Sequence, residues 1–140
     1  MTQSTLYSNG YNDRFTIGDF AMSRSGMPRL SIRIDFNEEG RLGPGKVALL
    51  EHIAEEGSIS AAGRAMQMSY KRAWELVADI NRSFDEPLVT AQTGGPSGGG
   101  ATLTARGREL IRHYRAIERK ALSATAAHLR ALQAISLEGR

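Results

Sequence analysis

The chain has 140 residues, 41% apolar and 24% charged, which suits a single globular domain with a modest core. It has no cysteine, which excludes disulfides, thiolate metal sites and a cysteine nucleophile. The formal net charge of +3 permits a polyanionic partner without requiring one, but over residues 101–140 eight Lys or Arg stand against three acids, a local net of +5. No stretch approaches the roughly 20 apolar residues of a membrane span. The first residues show no basic region followed by an apolar block, so a cytoplasmic location without membrane contact is expected.

Residues 1–28 are rich in Ser, Thr, Asn, Gly and Met and read as a loosely ordered tail, leaving 29–140 as one domain. LSIRIDF, residues 30–36, alternates so that Leu30, Ile32, Ile34 and Phe36 share a face, the pattern of a half-buried strand. NEEGRLGPG then reads as a turn-rich link. From residue 44 to 56 the apolar spacing becomes helical, with Val47, Leu50, Ile53 and Ala54 on one face and Gly57 as the stop. Ser58 or Ser60 is suited to cap a short helix through Met66, and Gln67 with Met68 forms a tight connection. Ser69 can cap a longer helix to about residue 84, with Ala73, Val77, Ile80 and Phe84 as its inward stripe.

Two short strands, residues 88–92 and 101–104, flank TGGPSGGG and make that segment the tip of a β-hairpin. Thr104 then caps a helix running to about residue 137, on the order of 50 Å long. That length exceeds the width of so small a domain, so part of the helix needs another surface. Leu110, Tyr114, Ile117, Ala121, Ala124 and His128 form one seam, and Leu122, Thr125, Leu129 and Leu132 a second. Two seams suit a homodimer held by helix 105–137, with Leu110, Tyr114, Ile117, Ala121, Leu122, Leu129 and Leu132 as its contacts. The alternative is a helix folded back as two shorter ones. His52, His113 and His128 are too far apart along the chain to suggest a metal site, and no cofactor is indicated.

The order of helix, short helix, tight turn, helix, hairpin and long helix is a winged helix-turn-helix plan, mainly α with a small β wing. The first helix of the pair must be crossed closely, and Ala61, Ala62, Gly63 and Ala65 supply small residues for that. The second must push its first turn into a major groove while its far face stays in the core. Ser69, Tyr70, Lys71 and Arg72 give that turn a capping hydroxyl, a phenol and two cations, groups able to contact phosphates and base edges of double-stranded DNA. Glu75 either pairs with Lys71 four residues earlier or reads a base edge. Ser58 and Ser60 are caps that can also meet a phosphate. Trp74 is expected in the core rather than stacked on a base. Arg106, Arg108, Arg112 and Arg115 either steer DNA or form a solvated helix face.

GSISAAGRAMQMSYKRAWELVADIN resembles the helix-turn-helix of the ModE family of molybdate-responsive transcriptional regulators, and SYKRAW resembles the start of that family's recognition helix. TGGPSGGGATLTARGREL resembles the family's glycine-rich wing running into the next helix. The phrase GSISAAGRAM also resembles the start of LysR-type helix-turn-helix domains. The resemblance covers roughly residues 30–137 and implies a homodimeric DNA-binding transcriptional regulator. Members usually carry C-terminal molybdate-binding domains, and no residues up to Arg140 correspond to them. The resemblance therefore implies a DNA-binding domain without its usual sensor, with molybdate reaching this chain only by family likeness, or through a separate effector-sensing protein. The wing carries Pro96 and Ser97 and no cation at its tip, so DNA contact there would fall to Thr93, Gly94, Gly95 and Ser97 and to backbone N–H groups. A small-oxyanion module and a protein-interaction domain that kept the fold are the competing classes. SYKR is not neutral, which argues against the second; the absence of GxxxxGK[ST] argues against a P-loop version of the first. No nucleophile–base set or pair of catalytic carboxylates suggests an enzyme.

Overall fold

Four helices and two short antiparallel hairpins make up the computed structural model, which describes residues 28–38, 40–92 and 99–136. They run β1 (Ile34–Asp35), β2 (Arg41–Leu42), α1 (Pro44–Glu56), α2 (Ile59–Ala65), α3 (Tyr70–Arg82), β3 (Val89–Ala91), β4 (Ala101–Leu103) and α4 (Ala105–Ile135). This is the winged helix-turn-helix expected from the sequence. The tail proposed for residues 1–28 lies, up to residue 27, outside the described residues.

α1 begins at Pro44, whose fixed φ suits a first helical position, and stops at Gly57, which takes the left-handed conformation (φ 71°) and returns its N–H to Ile53 O. α1 is the central rod of the core. Val47, Ala48, Leu49, Leu50 and Ile53 are all buried, because α2, α3, α4 and β4 surround the helix. The sequence stripe named Ala54, which is exposed, and missed Ala48 and Leu49. A helix enclosed on several sides buries more than one stripe.

The strand expected over residues 30–36 is shorter than its alternation. Leu30, Ile32 and Ile34 do turn inward, but only Ile34 and Asp35 pair, with Leu42 and Arg41. The chain turns at once, with Phe36 N–H donating to Gly40 O and Gly40 N–H to Asn37 Oδ1. Phe36 stays 50% exposed, its ring edge-on to Phe84 at 5.3 Å. β2 lies inside the stretch read as a link.

Thr104 Oγ1 accepts from Gly107 N–H and starts α4, a single unbroken helix of 31 residues, about 46 Å long at ~1.5 Å per residue. It does not fold back. Tyr114, on its inner face, donates its hydroxyl to Ile32 O (2.6 Å) and thereby holds the N-terminal segment against α4. The next residue, Arg115, is buried, which overturns its reading as a solvated or DNA-steering residue. Its guanidinium grips Glu51 of α1 through two hydrogen bonds (2.6 and 3.1 Å) and Glu118 through a third (2.5 Å). Two carboxyls share one cation, and Glu118 Oε2 is buried with no partner. Burial pushes the Glu51 carboxyl up to about 8, with further push from Glu118 and Glu55, and raises Glu118 to about 7.

Between the ordinary value of 4.5 and about 7 to 8 the folded cluster therefore retains protons that the unfolded chain has lost. The stabilisation they give is present below the ordinary value of 4.5 and is lost as pH rises through about 7 to 8. The melting temperature is therefore expected to fall across that interval, and Glu118→Gln, which keeps an acceptor for Arg115, to flatten the fall. Equal slopes for the two proteins in a thermal-melt series against pH would contradict the account.

Candidate nucleic-acid interface

Ser58 is the N-cap of α2, its Oγ accepting from Ala61 N–H at 3.1 Å. Ser60, the other candidate cap, sits inside the first turn with its side chain half-buried. The close crossing falls on Ala62 and Gly63, both buried, whereas Ala65 is exposed. A Cβ at Gly63 would lie 2.9 Å from Ala73 Cβ of α3, so only glycine fits. The turn uses Gln67 in the left-handed region (φ 58°), and Met68 N–H returns to Gly63 O.

Ser69 caps α3 by accepting from Arg72 N–H at 3.0 Å. The helix then divides cleanly. Ala73, Leu76, Val77 and Ile80 are buried; the sequence stripe omitted Leu76. Tyr70 is 63% exposed, and the Lys71 and Glu75 side chains project 85% and 53% into solvent. Lys71 Nζ stands 4.0 Å from Glu75, a loose i, i+4 pair that contributes little in water. Arg72 is half-buried. The Tyr70 and Trp74 rings lie 5.9 Å apart and tilted. Trp74 is half-buried, partly packed on the core as expected.

The wing is tied to the helices at both ends. β3 and β4 pair Val89 with Leu103, Thr90 with Thr102 and Ala91 with Ala101, and Gln92 N–H donates to Gly100 O beyond the ladder. Asn81, near the end of α3, accepts from Leu88 and Val89 N–H and donates to Val89 O. Ala101 N–H donates to Gly57 O, joining the wing to the α1–α2 turn. Thr104 Oγ1 donates to Pro87 O. Gly107 packs its Cα against the Leu88 carbonyl, where a Cβ has no room. Sequence reasoning missed Asn81; its only signal was a lone asparagine at a helix end just before a strand. Thr93, Gly94, Gly95 and Ser97 lie outside the described residues.

α2, α3 and the outer end of the β3–β4 ladder border an open pocket of about 240 Å³, lined among others by Ser58, Ser60, Tyr70, Trp74, Gln92 and Gly100. Three of the cations of α4, Arg106, Arg108 and the buried Arg115, are engaged within the chain, whereas Arg112, Arg119, Lys120 and Arg130 are exposed. Arg106 pairs with Glu86 and Glu109, and Arg108 donates to Leu103 O. Of the residues expected at a dimer seam, Tyr114 (1% exposed) and Leu129 are buried within the chain and offer no side-chain surface to a second copy. Leu110, Ala121 and Leu122 are half-buried, and Ile117 and Leu132 are 42% and 56% exposed. His52 approaches Glu55 and Glu56 on α1, with ligand atoms within 4.8 Å, the ordinary result of i, i+3 and i+4 spacing on one turn; His113 and His128 are not part of that group.

Residues 45–108 match the LysR family of bacterial regulatory helix-turn-helix proteins. The chain is similar to the molybdenum-pterin-binding protein MopB of Rhodobacter capsulatus, 51% identical over 78 residues, which are 56% of this chain and 29% of that protein. It is 36% identical to MopA of the same organism over 107 residues, 76% of this chain and 36% of that protein. It is 44% identical over 71 residues to the DNA-binding transcriptional dual regulator ModE of Escherichia coli, covering 51% of this chain and 27% of that protein. The chain thus spans about a third of the length of these relatives. Among the described residues no helix is long and apolar enough to cross a membrane.

Asn81→Ala would strand the Leu88 and Val89 N–H groups at the foot of the wing. Unpaired part-buried donors of this kind cost about 1–3 kcal/mol. Urea unfolding is expected to show a loss of that order, and an unchanged midpoint would mean the wing is held without Asn81.

Proposed function

We propose that the chain is a ModE-like DNA-binding transcriptional regulator that docks on duplex DNA as a homodimer. The observation that carries this reading is the first turn of α3. Its inward side chains are locked in the core, while Tyr70, Lys71 and Glu75 project from the opposite face beside a tethered wing. A helix held this way can enter a major groove without losing its packing. Ser69, Lys71 and Arg72 serve phosphates and base edges, Tyr70 adds a hydroxyl and an aromatic face, and Glu75 either restrains Lys71 or accepts from a base. Thr93, Gly94, Gly95 and Ser97 of the glycine-rich tip would meet the adjoining backbone. The likeness to a protein described as a DNA-binding transcriptional dual regulator supports this assignment.

Two such helices read a pseudo-palindrome with half-sites roughly 34 Å apart. The outer seam of α4, with Ile117 and Leu132 exposed and Leu110, Ala121 and Leu122 beside them, supplies the dimer contact. Relatives described as molybdenum-pterin-binding make molybdenum the leading effector chemistry, sensed by a molybdate-binding region or partner other than the residues described.

Fluorescence anisotropy with a duplex selected from a randomised pool, against its scrambled version, tests the reading. Lys71→Ala is expected to weaken binding and to reduce the slope of log affinity against log salt by about 1. Equal, weak binding of the wild-type protein to both duplexes would defeat the specific-regulator assignment. Ile117→Glu is expected to shift the sedimenting species from dimer to monomer; a dimer that survives it would move the interface off this seam.

A further inference from the structure

Trp74 is the single tryptophan of the chain, and its indole N–H is left over by the fold. Nε1 is buried and has no hydrogen-bond partner among the described residues. Such donors are uncommon in folded proteins, because water lost on burial is normally replaced by an acceptor. Trp74 lines the pocket between α2, α3 and the outer end of the β3–β4 ladder. The other polar groups there are also neutral donors. Ser58 Oγ accepts from Ala61 N–H, which leaves its own hydrogen to give. The Ser60 hydroxyl makes no hydrogen bond among the described residues, and Gln92 presents an exposed carboxamide. No charged side chain lines the pocket.

A concavity of neutral donors with an unpaired indole N–H suits an oxyanion, and its location selects which one. On one side is the turn of α3 that enters the groove in the reading above; on the other is the outer end of the wing's ladder, at Gln92 and Gly100. A duplex resting on both must carry its sugar–phosphate backbone across the pocket. We infer that the pocket seats one DNA backbone phosphate, with the Ser58 and Ser60 hydroxyls and the Trp74 indole N–H donating to its oxygens. Tyr70 is the gate to the indole. Its ring stands against Trp74, is mostly exposed and has no hydrogen bond on its hydroxyl among the described residues, so it is free to turn aside when the backbone arrives. The inference rests on the DNA-binding assignment and adds to it a role for Trp74 that its core packing alone does not supply. The contact positions the protein on the duplex and reads no sequence.

The single tryptophan makes the test direct. Wild-type protein, Ser60→Ala, Trp74→Phe and Lys71→Ala are titrated with a mixed-sequence duplex at several salt concentrations, and separately with inorganic phosphate and molybdate. Trp74 emission is followed in the tryptophan-containing proteins, and circular dichroism checks that each variant is folded. Saturating duplex is expected to change Trp74 emission. Ser60→Ala and Trp74→Phe are each expected to weaken binding by roughly three- to tenfold, the size of one lost hydrogen bond. They should do so equally on all sequences and leave the salt slope unchanged, since no cation is removed; Lys71→Ala should lower the slope instead. Ser60→Ala removes only a hydroxyl and keeps the test valid if Trp74→Phe fails to fold. Duplex binding with unaltered emission and unweakened variants, but weakened in Lys71→Ala, would overturn the phosphate site while leaving the regulator assignment standing. An emission change with inorganic phosphate or molybdate, in a protein that ignores duplex, would overturn both and mark a free-oxyanion site.

Discussion

The approach of α2 to α3 sets the geometry of everything that faces outward. At Gly63 the two helices come so near that a single added carbon would press on Ala73. That proximity leaves only a short turn to connect them. The turn is made by putting Gln67 in the left-handed region and returning Met68 N–H to Gly63 O. Ser69 is then placed to cap α3, and the helix starts with its register fixed. Ala73, Leu76, Val77 and Ile80 turn into the core around α1, so Tyr70, Lys71 and Glu75 have no direction left but outward. A bulkier residue at position 63 would change the tilt of the exposed turn without touching any residue on it.

The wing is referred to the same frame. Asn81 sits on α3 itself and holds the first residues of the hairpin, while Gly57 O, at the end of α1, holds Ala101. Helix and wing are therefore braced against common elements. The buried cluster of Arg115, Glu51 and Glu118 does similar work between α1 and α4. It also uses up charge. Two of the basic residues near the C-terminus are not available to a partner, Arg115 because it is buried against Glu51 and Glu118 and Arg106 because it pairs with Glu86 and Glu109. Net charge counted along the sequence overstates the field this helix presents to a polyanion, and the location of the cations matters more than their number.

What the sequence made legible was local. Gly57 as a stop, Ser69 and Thr104 as caps, and the unbroken helix after Thr104 all depend on residues within a turn of one another, and the structure places them as expected. The winged helix-turn-helix followed from that punctuation. What stayed hidden depends on partners far along the chain. Arg115 looks like any helix-surface arginine until α1 brings Glu51, 64 residues away, against it. Leu49 and Leu76 fall off the simplest stripes and are buried because their helices are enclosed by more than one neighbour. β2 is two residues whose only reason to be a strand is β1. Among candidate interface residues, Ser58 and Ser69 were readable as caps, but the pocket joining Ser60 to Trp74 and the outer end of the wing's ladder exists only in three dimensions. Tyr114 and Leu129 show the converse: apolar periodicity marks a seam without saying whether the same chain or another fills it.

The division between charged and neutral donors has a consequence for how such a domain works. A phosphate held by Lys or Arg is held on every duplex, and its affinity falls steeply with salt because counterions must be returned. A phosphate held by hydroxyls and an indole N–H gains far less from long-range attraction and much more from position, since neutral hydrogen bonds fade quickly when misaligned. Lys71, exposed and only loosely paired, suits the first task, which is to draw the duplex in. The rigid pocket behind it, built on elements braced through Gly63 and Asn81, suits the second, which is to accept only a backbone that runs at the right height above α3. That is a positional selection of the duplex and not a reading of its bases. It can be achieved without adding a single positive charge to the face.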